Sequence, residues 1–198
     1  MAPVDLHILV HPGARRDWFE QACASASGHP VNLFVIENAG TLGAGRAAGL
    51  RRGTAEFVTW IDSDDVLAPG AVQACLDVLR ASSDVAAVFT DHEKIDASGA
   101  FVRHSDSYKT GPYDPRRQVW MGGYSEHIAV FRRAAIAPFL DAIEPMAQGA
   151  CRWLRALAAT RGRFVHLERT GGFVRIHDRK LSHSESTHNA MRVTSRIN

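Results

Sequence analysis

The sequence predicts an α/β fold with a mostly parallel central sheet, helices on both faces, a hairpin and a small mixed C-terminal part. Two observations support this prediction. In the first half of the chain, short apolar or β-branched runs alternate with helix-length segments three times. Because a strand, a helical crossover and the next strand form a right-handed βαβ unit, this alternation predicts a parallel sheet covered by helices. The second half lacks this pattern and has turn residues between short extended runs.

Length and composition favour a single globular domain. The chain has 198 residues, of which 45% are hydrophobic and 22% charged, and its formal net charge is +2. So small a net charge gives no general attraction to nucleic acid. The three cysteines lie far apart, which argues against a disulfide framework and against a thiolate metal site.

No segment of the sequence is typical of a membrane span or a secretion signal. No apolar run approaches the ~20 residues that cross a bilayer. The first residues also lack a basic region followed by an apolar one. We therefore expect a cytoplasmic location, with peripheral contact at the inner face of the membrane as an open alternative.

Four strands and three helices are predicted in the first half. The helices are expected at Ala14 to Ser27, within Gly43 to Leu50, where a glycine-rich turn passes into a helix, and after the acidic cluster, with Pro69 in the first turn. The strands are expected where apolar and β-branched residues form short runs, at Leu6 to Val10, Val31 to Ile36, Phe57 to Ile61 and Val85 to Phe89.

The elements of the second half are predicted to be shorter and more irregular. A hairpin at Thr90 to His104 should turn at Asp96 to Gly99, and Asp106 to Tyr124 should form a long loop over the site. A helix at Gln148 to Thr160 should bury Ala150, Trp153, Leu154 and Leu157. The other predictions are a strand at Ile128 to Phe131, a helix at Arg132 to Ile143 perturbed at Pro138, two strands at Phe164 to Leu167 and Phe173 to Ile176, and a polar stretch from Asp178 to Asn198.

The third predicted strand ends in three carboxylates, Asp62, Asp64 and Asp65. In open α/β sheets, ligands bind at the carboxyl ends of the strands. Close like charges repel one another unless a cation shares them, and carboxylate oxygens suit Mg²⁺ or Mn²⁺. The pattern therefore predicts a metal site that holds a phosphate. The alternative is a solvated acidic turn before a helix, where negative charge is favourable.

The glycines before that strand allow two interpretations. Gly43, Gly45 and Gly49 match neither the dinucleotide fingerprint nor the P-loop. They form either a turn beside a phosphate or a surface on which a helix packs closely against the sheet. Arg46 either contacts a diphosphate by charge and hydrogen bonding or lies on the surface.

Motifs along most of the chain resemble those of family 2 glycosyltransferases with the GT-A fold. Those shared with the family at large are N-x-G at Asn38 to Gly40, A-R-N-x-G-L at Gly45 to Leu50, and G-E-Y-h-x-h-L-D-x-D-D-x-L-x-P at Glu56 to Pro69. Those similar to a branch that builds bacterial surface polysaccharide are Y-S-D-E-D-K-I-D-x-x-G at Phe89 to Gly99, F-K-P at Tyr108-Lys109, N-Y-I-x-H-x-x-V-x-R-R at Tyr124 to Arg133, and Y-x-W-R-x-H-x-x-S-x-S at Phe173 to His177 with Ser182 and Ser184.

The resemblance implies a GT-A-like fold and transfer of a sugar from a nucleoside-diphosphate sugar to a saccharide or lipid-linked saccharide acceptor. It implies one domain at 1–184, with a nucleotide-sugar-binding half at 1–91, an acceptor-side half at 92–184 and a polar tail at 185–198. A divalent ion, Mg²⁺ or Mn²⁺, would be held by Asp62, Asp64 and His177; His177 as a buried structural histidine is the alternative. The residues implied to bind the nucleotide sugar are Pro12, Glu37, Asn38, Arg46, Asp62, Ser63, Asp64 and Asp65, and those implied on the acceptor side are Lys109 and His127.

The sequence departs from the family pattern at three places: the residues that bind the nucleobase, the glycine segment, and the general base that accepts the proton. Glu37 is the only acid near the position of a usual base-binding Asp, and Ala47 replaces the Asn of A-R-N. The family's general-base Asp opens the helix that ends in L-R, and here that position holds Gly149. Glu144 is a candidate substitute base.

Three functions remain open. The first is a metal-dependent, inverting glycosyltransferase that is impaired by the loss of its base. The second is a non-catalytic nucleotide-sugar-binding module of the same fold, which Gly149 supports. The third is a phosphatase of the haloacid dehalogenase type, whose first motif also places D-x-D-D after an apolar strand, although normally after the first strand.

Overall fold

One mixed sheet of eight strands organises the chain in its computed structural model, which describes residues 2–11, 13–37, 40–105, 113–121 and 128–177. The strand order is β2-β1-β3-β7-β5-β8-β4, and β6 pairs with β5. The strands are β1 (Val4–Val10), β2 (Val31–Glu37), β3 (Phe57–Asp62), β4 (Val66–Leu67), β5 (Val85–Ile95), β6 (Phe101–His104), β7 (Ala129–Arg132) and β8 (Arg163–Arg175).

The sheet is mostly parallel, as predicted. β1 lies between β2 and β3 and is parallel to both, and β5 is parallel to β8. β7 is inserted between β3 and β5 and runs antiparallel to each. The third βαβ unit therefore joins strands that are not neighbours. The β5–β6 hairpin is confirmed.

Helices cover both faces of the sheet. Helix α1 (Arg16–Ala26) and helix α3 (Ala71–Ala81) pack on one face. The opposite face carries α2 (Leu42–Leu50), α5 (Arg133–Ile136), α6 (Leu140–Ile143) and α7 (Ala150–Ala158), and a further helix, α4 (Pro115–Met121), contacts α7.

The apolar run of β3 results from burial on both faces. Phe57 and Ile61 belong to the core beneath α1 and α3, whereas Val58 and Trp60 belong to the core beneath α2 and α7. A strand covered on both faces needs apolar side chains at successive positions rather than at alternate ones. This explains why β3 could be predicted from its sequence.

The predicted glycine-rich turn is wrong, because the segment is already helical. Helix α2 begins at Leu42, where Oγ1 of the capping Thr41 accepts a hydrogen bond from the backbone N–H of Ala44 at 3.0 Å. A Cβ on Gly43 would lie 1.9 Å from the carbonyl oxygen of Ile143. The close approach of α2 to the carbonyl oxygen of Ile143 therefore requires glycine at position 43.

Other elements differ from the predictions in their bounds. Part of the predicted loop over the site is helix α4, because Pro115 starts a helical turn; residues 106–112 and 122–127 lie outside the described residues. The two predicted C-terminal strands are one strand, β8, whose polar middle is held by pairing with β5 and β4. Helix α3 begins at Ala71, after Gly70, and not at Pro69.

The two C-terminal helical predictions had different outcomes. The helix at 132–143 is interrupted at Pro138 as expected: α5 is followed by a 3-10 turn at Ala137–Phe139 and then by α6. On α7, Trp153 is 36% exposed instead of buried, and Arg155 is buried. The polar stretch after His177 lies outside the described residues. Among the described residues, no helix combines the length and apolar character that crossing a membrane requires.

Candidate functional site

The three carboxylates form one cluster at the C-terminal end of β3. Asp62 is the last residue of the strand, and the N–H of Asp65 donates to the carbonyl oxygen of Asp62 at 3.2 Å, which closes a tight turn before β4. One carboxylate oxygen from each of Asp62, Asp64 and Asp65 lies within 4.8 Å of the others. Asp62 and Asp64 are half-buried, and Asp65 and Ser63 are buried. The turn thus concentrates negative charge at the sheet edge.

Arg175, at the end of β8, holds the acidic turn. Its N–H donates to Oδ1 of Asp65 at 3.0 Å, and its Nε donates to the carbonyl oxygen of Asp64 at 3.1 Å. Its Nη2 donates to Oε1 of Gln21 on α1 at 2.7 Å, and its Nη1 to the carbonyl oxygen of Asp96 in the hairpin turn at 3.1 Å. Burial lowers the pKa of Arg175, while Asp65 and Asp64 raise it. Arg175 therefore joins α1, the hairpin and the acidic turn.

His177 lies beside the cluster and contacts Asp64. Its Nε2 is 2.8 Å from Oδ2 of Asp64. Its ring packs against Trp18 with a centroid separation of 4.6 Å, and Nε1 of Trp18 donates to the carbonyl oxygen of Ala97 at 3.2 Å. An imidazole nitrogen is thus added to the carboxylate oxygens, on a ring whose orientation is set by packing.

Arg46 lies under the cluster rather than on its open side. It is 3% exposed, and its Nη2 donates to Oδ1 of Asp62 at 2.6 Å. Its guanidinium lies 5.2 Å above the Trp60 ring. Burial lowers the pKa of Arg46, but the Cys151 thiol and Asp62 act in the opposite direction and the net shift is upward. Arg46, which was predicted to contact a diphosphate, is thus paired with the carboxylate of Asp62.

The donor set of the cluster fits a divalent ion. Carboxylate oxygens are the ligands that Mg²⁺ and Mn²⁺ prefer, and an imidazole is a further ligand for transition metals. The close approach of like charges at Asp62, Asp64 and Asp65 is also the arrangement that a shared cation stabilises.

Glu37 and Glu144, the remaining predicted site residues in the described part of the chain, make no side-chain contact with this cluster. Glu37 is exposed at the end of β2. Oε2 of Glu144 accepts a hydrogen bond from Nη2 of Arg51 at 2.6 Å. Gly149 caps the N-terminus of α7 with φ of 74°. Pro12, Asn38, Lys109 and His127 lie outside the described residues.

Comparison with known proteins identifies the family. The family model described as "Glycosyl transferase family 2" matches residues 8–139, so the chain belongs to glycosyl transferase family 2. The match confirms the resemblance to family 2 glycosyltransferases. The match also favours this family over the phosphatase alternative. The position of the acidic motif does so as well, because in the structure the motif ends the third strand and not the first.

Solved structures of low sequence identity share the fold. S. aureus TarS 1–349 in complex with UDP-GlcNAc aligns with a TM-score of 0.69 and 13% identity, covering 96% of this chain and 65% of that one. The complex of TarS 1–349 with UDP gives 0.64 and 11% identity, covering 96% and 65%. These likenesses confirm the GT-A-like fold class.

A curated relative is similar over part of the chain. The chondroitin synthase of Escherichia coli is 26% identical over 107 residues, which cover 54% of this chain. This chain spans 15% of the length of that protein and 65% of the TarS 1–349 chains.

Proposed function

We propose that this chain transfers a sugar from a nucleoside-diphosphate sugar to a hydroxyl of a saccharide or lipid-linked saccharide acceptor. The observation that carries the proposal is the cluster of Asp62, Asp64 and Asp65 at the end of β3. Family membership supports the reaction class, and the relative named chondroitin synthase supports a saccharide product.

Nucleotide-sugar binding has two independent supports. The cluster lies at the carboxyl edge of a parallel sheet, where open α/β proteins bind their ligands. Two TarS structures of the same fold were determined with UDP-GlcNAc and with UDP. We therefore expect uridine diphosphate sugars to be the first donors to bind, with the uracil near Glu37, Asn38 and Pro12.

Each member of the cluster has a proposed task. Asp64 and His177 hold a Mg²⁺ or Mn²⁺ ion together with Asp62, whose charge is shared with Arg46. When bound, the ion stabilises the negative charge that develops on the leaving diphosphate. Asp65 is fixed by Arg175 and orients the turn toward the donor. Ser63 lies between Asp62 and Asp64 in the sequence. Lys109 and His127 act on the acceptor side.

Inversion at the anomeric carbon needs a group that accepts the proton of the acceptor hydroxyl. The family position for that group is Gly149, which has no side chain. A second candidate function follows from this observation: a module that binds a nucleotide sugar without transferring it. Glu144 remains a predicted substitute base, although Arg51 already donates to its carboxylate.

Turnover measurements separate the two candidates. The chain is incubated with Mn²⁺, with uridine, thymidine and guanosine diphosphate sugars in turn, and with saccharide acceptors, and both released nucleoside diphosphate and glycosylated product are quantified. A transferase gives equal amounts of both, and Asp64→Asn abolishes both. Donor binding without release identifies the binding module. Neither binding nor release contradicts both functions.

A further inference from the structure

We propose that Asp91 on β5 is the group that accepts the proton of the acceptor hydroxyl, and that His166 on β8 is its positioning residue. This inference rests on the proposed sugar transfer. It assigns a task to a carboxylate–imidazole pair that lies outside the acidic cluster, and it gives the reaction a base although Gly149 has no side chain.

The pair is well defined and reachable from solvent. Nε2 of His166 lies 2.5 Å from Oδ1 of Asp91, and the side chains are 25% and 21% exposed. The imidazole stacks on Phe89 with a centroid separation of 5.0 Å and an interplanar angle of 17°. Among the described residues, no hydrogen bond reaches Oδ2 of Asp91. The ring is thus fixed, and one carboxylate oxygen is available to a substrate.

The register of the sheet places Asp91 level with Asp62. Val58 on β3 and Ala87 on β5 both pair with Phe131 of β7, one on each side. Asp62 and Asp91 each lie four residues further along parallel strands. Two strand spacings separate β3 from β5, which is about 10 Å.

Both carboxylates also belong to the same face. Asp62 accepts a hydrogen bond from Arg46 of α2, and Asp91 contacts the His166 ring that stacks on Phe89. Asp62 therefore lies on the face of Val58 and Trp60, and Asp91 lies on the face of Ala87 and Phe89. All four of these apolar residues lie in the core beneath α2 and α7. This is the face on which α7 begins at Gly149. The proton acceptor would therefore be supplied from the sheet instead of from the helix that covers it.

Two other acids near the site are less suited to the task. Glu93 accepts a hydrogen bond from Oγ1 of Thr170 at 3.0 Å and has His104 at 3.4 Å. Glu144 is paired with Arg51, at the end of α2, and Asp141 shares the same guanidinium. The Arg51 guanidinium thus holds the Glu144 carboxylate at the end of α2, and Glu93 lies two residues further along β5 than Asp91.

In the proposed step, the hydroxyl proton moves to Asp91 as the sugar is transferred to the acceptor oxygen. The acceptor oxygen attacks the anomeric carbon and forms a C–O bond while Oδ2 of Asp91 takes the hydroxyl proton. The bond between the anomeric carbon and the diphosphate oxygen breaks, and its electron pair leaves with the nucleoside diphosphate. His166 donates from Nε2 to Oδ1 and keeps Oδ2 directed at the acceptor. The protonated carboxyl then releases its proton to water.

An acceptor that carries no proton tests the assignment directly. Azide attacks the anomeric carbon as an anion, so forming a glycosyl azide requires donor binding but no base. Asp91→Asn should bind the uridine diphosphate sugar within about threefold of the unaltered protein, lose 10²–10³-fold of the transfer rate to hydroxyl acceptors and to water, and keep the rate of glycosyl azide formation. His166→Gln should show a smaller loss with the same selectivity.

The matched control is Asp84→Asn, because Asp84, directly before β5, and Arg163, at the start of β8, form an exposed pair at the opposite end of the same two strands. It should keep both rates. Equal losses with azide and with hydroxyl acceptors in Asp91→Asn would show a structural role and overturn the proposal, as would a loss confined to Glu144→Gln. Absence of donor binding in the unaltered protein contradicts the proposed function itself, which separates the two failures.

Discussion

Arg46 and Asp62 form a buried ion pair, with Nη2 of Arg46 2.6 Å from Oδ1 of Asp62, and this pair anchors the acidic cluster to α2. The guanidinium side chain is 2% exposed, whereas the carboxylate side chain is 26% exposed. Removal of the two partners should therefore have unequal consequences, because only Arg46 depends on the other residue for compensation of its charge.

Asp62→Ala should lower the free energy of unfolding by about 3–5 kcal/mol, because it leaves the buried Arg46 charge without its anion. Arg46→Met should cost less, since Asp62 can be hydrated from the open side of the cluster. Chemical denaturation measures both. The exposed pair of Asp84 with Arg163 supplies the control: Asp84→Ala should cost less than ~1 kcal/mol. A cost for Asp62→Ala no larger than that of the control would contradict the role of the buried pair.

His7 should make the fold sensitive to acid. Burial, followed by the positive charge of Arg133, lowers the pKa of His7 to about 3. In the unfolded chain the pKa is about 6.5, so between these values the unfolded state binds more protons and the free energy of unfolding falls as the pH is lowered. The contribution of neutral His7 to the free energy of unfolding is fully present above pH ~6.5. Below that pH it declines by up to ~1.4 kcal/mol per pH unit.

His7→Leu should remove that contribution. Neither ring nitrogen of His7 has a hydrogen-bond partner in the described part of the chain, so the substitution should be neutral or stabilising at pH 7. Urea denaturation from pH 7 to 4 should give a shallower decline in the variant than in the unaltered protein. Parallel declines would show that His7 does not titrate as its burial requires.

Gly43 should not tolerate a side chain. A Cβ there would lie 1.9 Å from the carbonyl oxygen of Ile143 and 2.8 Å from that of Met146. Gly43→Ala should therefore force α2 away from α6 and cost about 1–3 kcal/mol or more of unfolding free energy. Gly28→Ala is the matched control, because a Cβ on Gly28 meets no atom within 4 Å. Equal thermal midpoints for the two variants would contradict the packing role of Gly43.

Local patterns predicted the parts of the fold that depend on local burial. The apolar run of β3, the amphipathic repeat of α3 and the break at Pro138 each reflect a constraint within one element. The acidic cluster was also predictable, since Asp62, Asp64 and Asp65 are adjacent in sequence and their position at the end of β3 follows from the strand.

Long-range pairing was not predictable in the same way. The insertion of β7 between β3 and β5, and the continuation of β8 through its polar middle, depend on partners many residues away. Arg175 belongs to a family motif, but its partners, Gln21 on α1 and Asp96 in the hairpin turn, lie far from it in sequence. No sequence signal pairs Asp91 with His166, because that contact depends on the β5–β8 register.

We expect the cluster at the end of β3 to bind a nucleoside diphosphate through a divalent ion. Titration calorimetry of UDP in the presence and absence of Mn²⁺ tests it, with Asp64→Ala against Asp77→Ala, whose carboxylate lies exposed on α3 and bonds only to Gln73 among the described residues. We expect Mn²⁺-dependent binding that Asp64→Ala abolishes and Asp77→Ala preserves. Binding that is independent of Mn²⁺, or equal in the two variants, would contradict it.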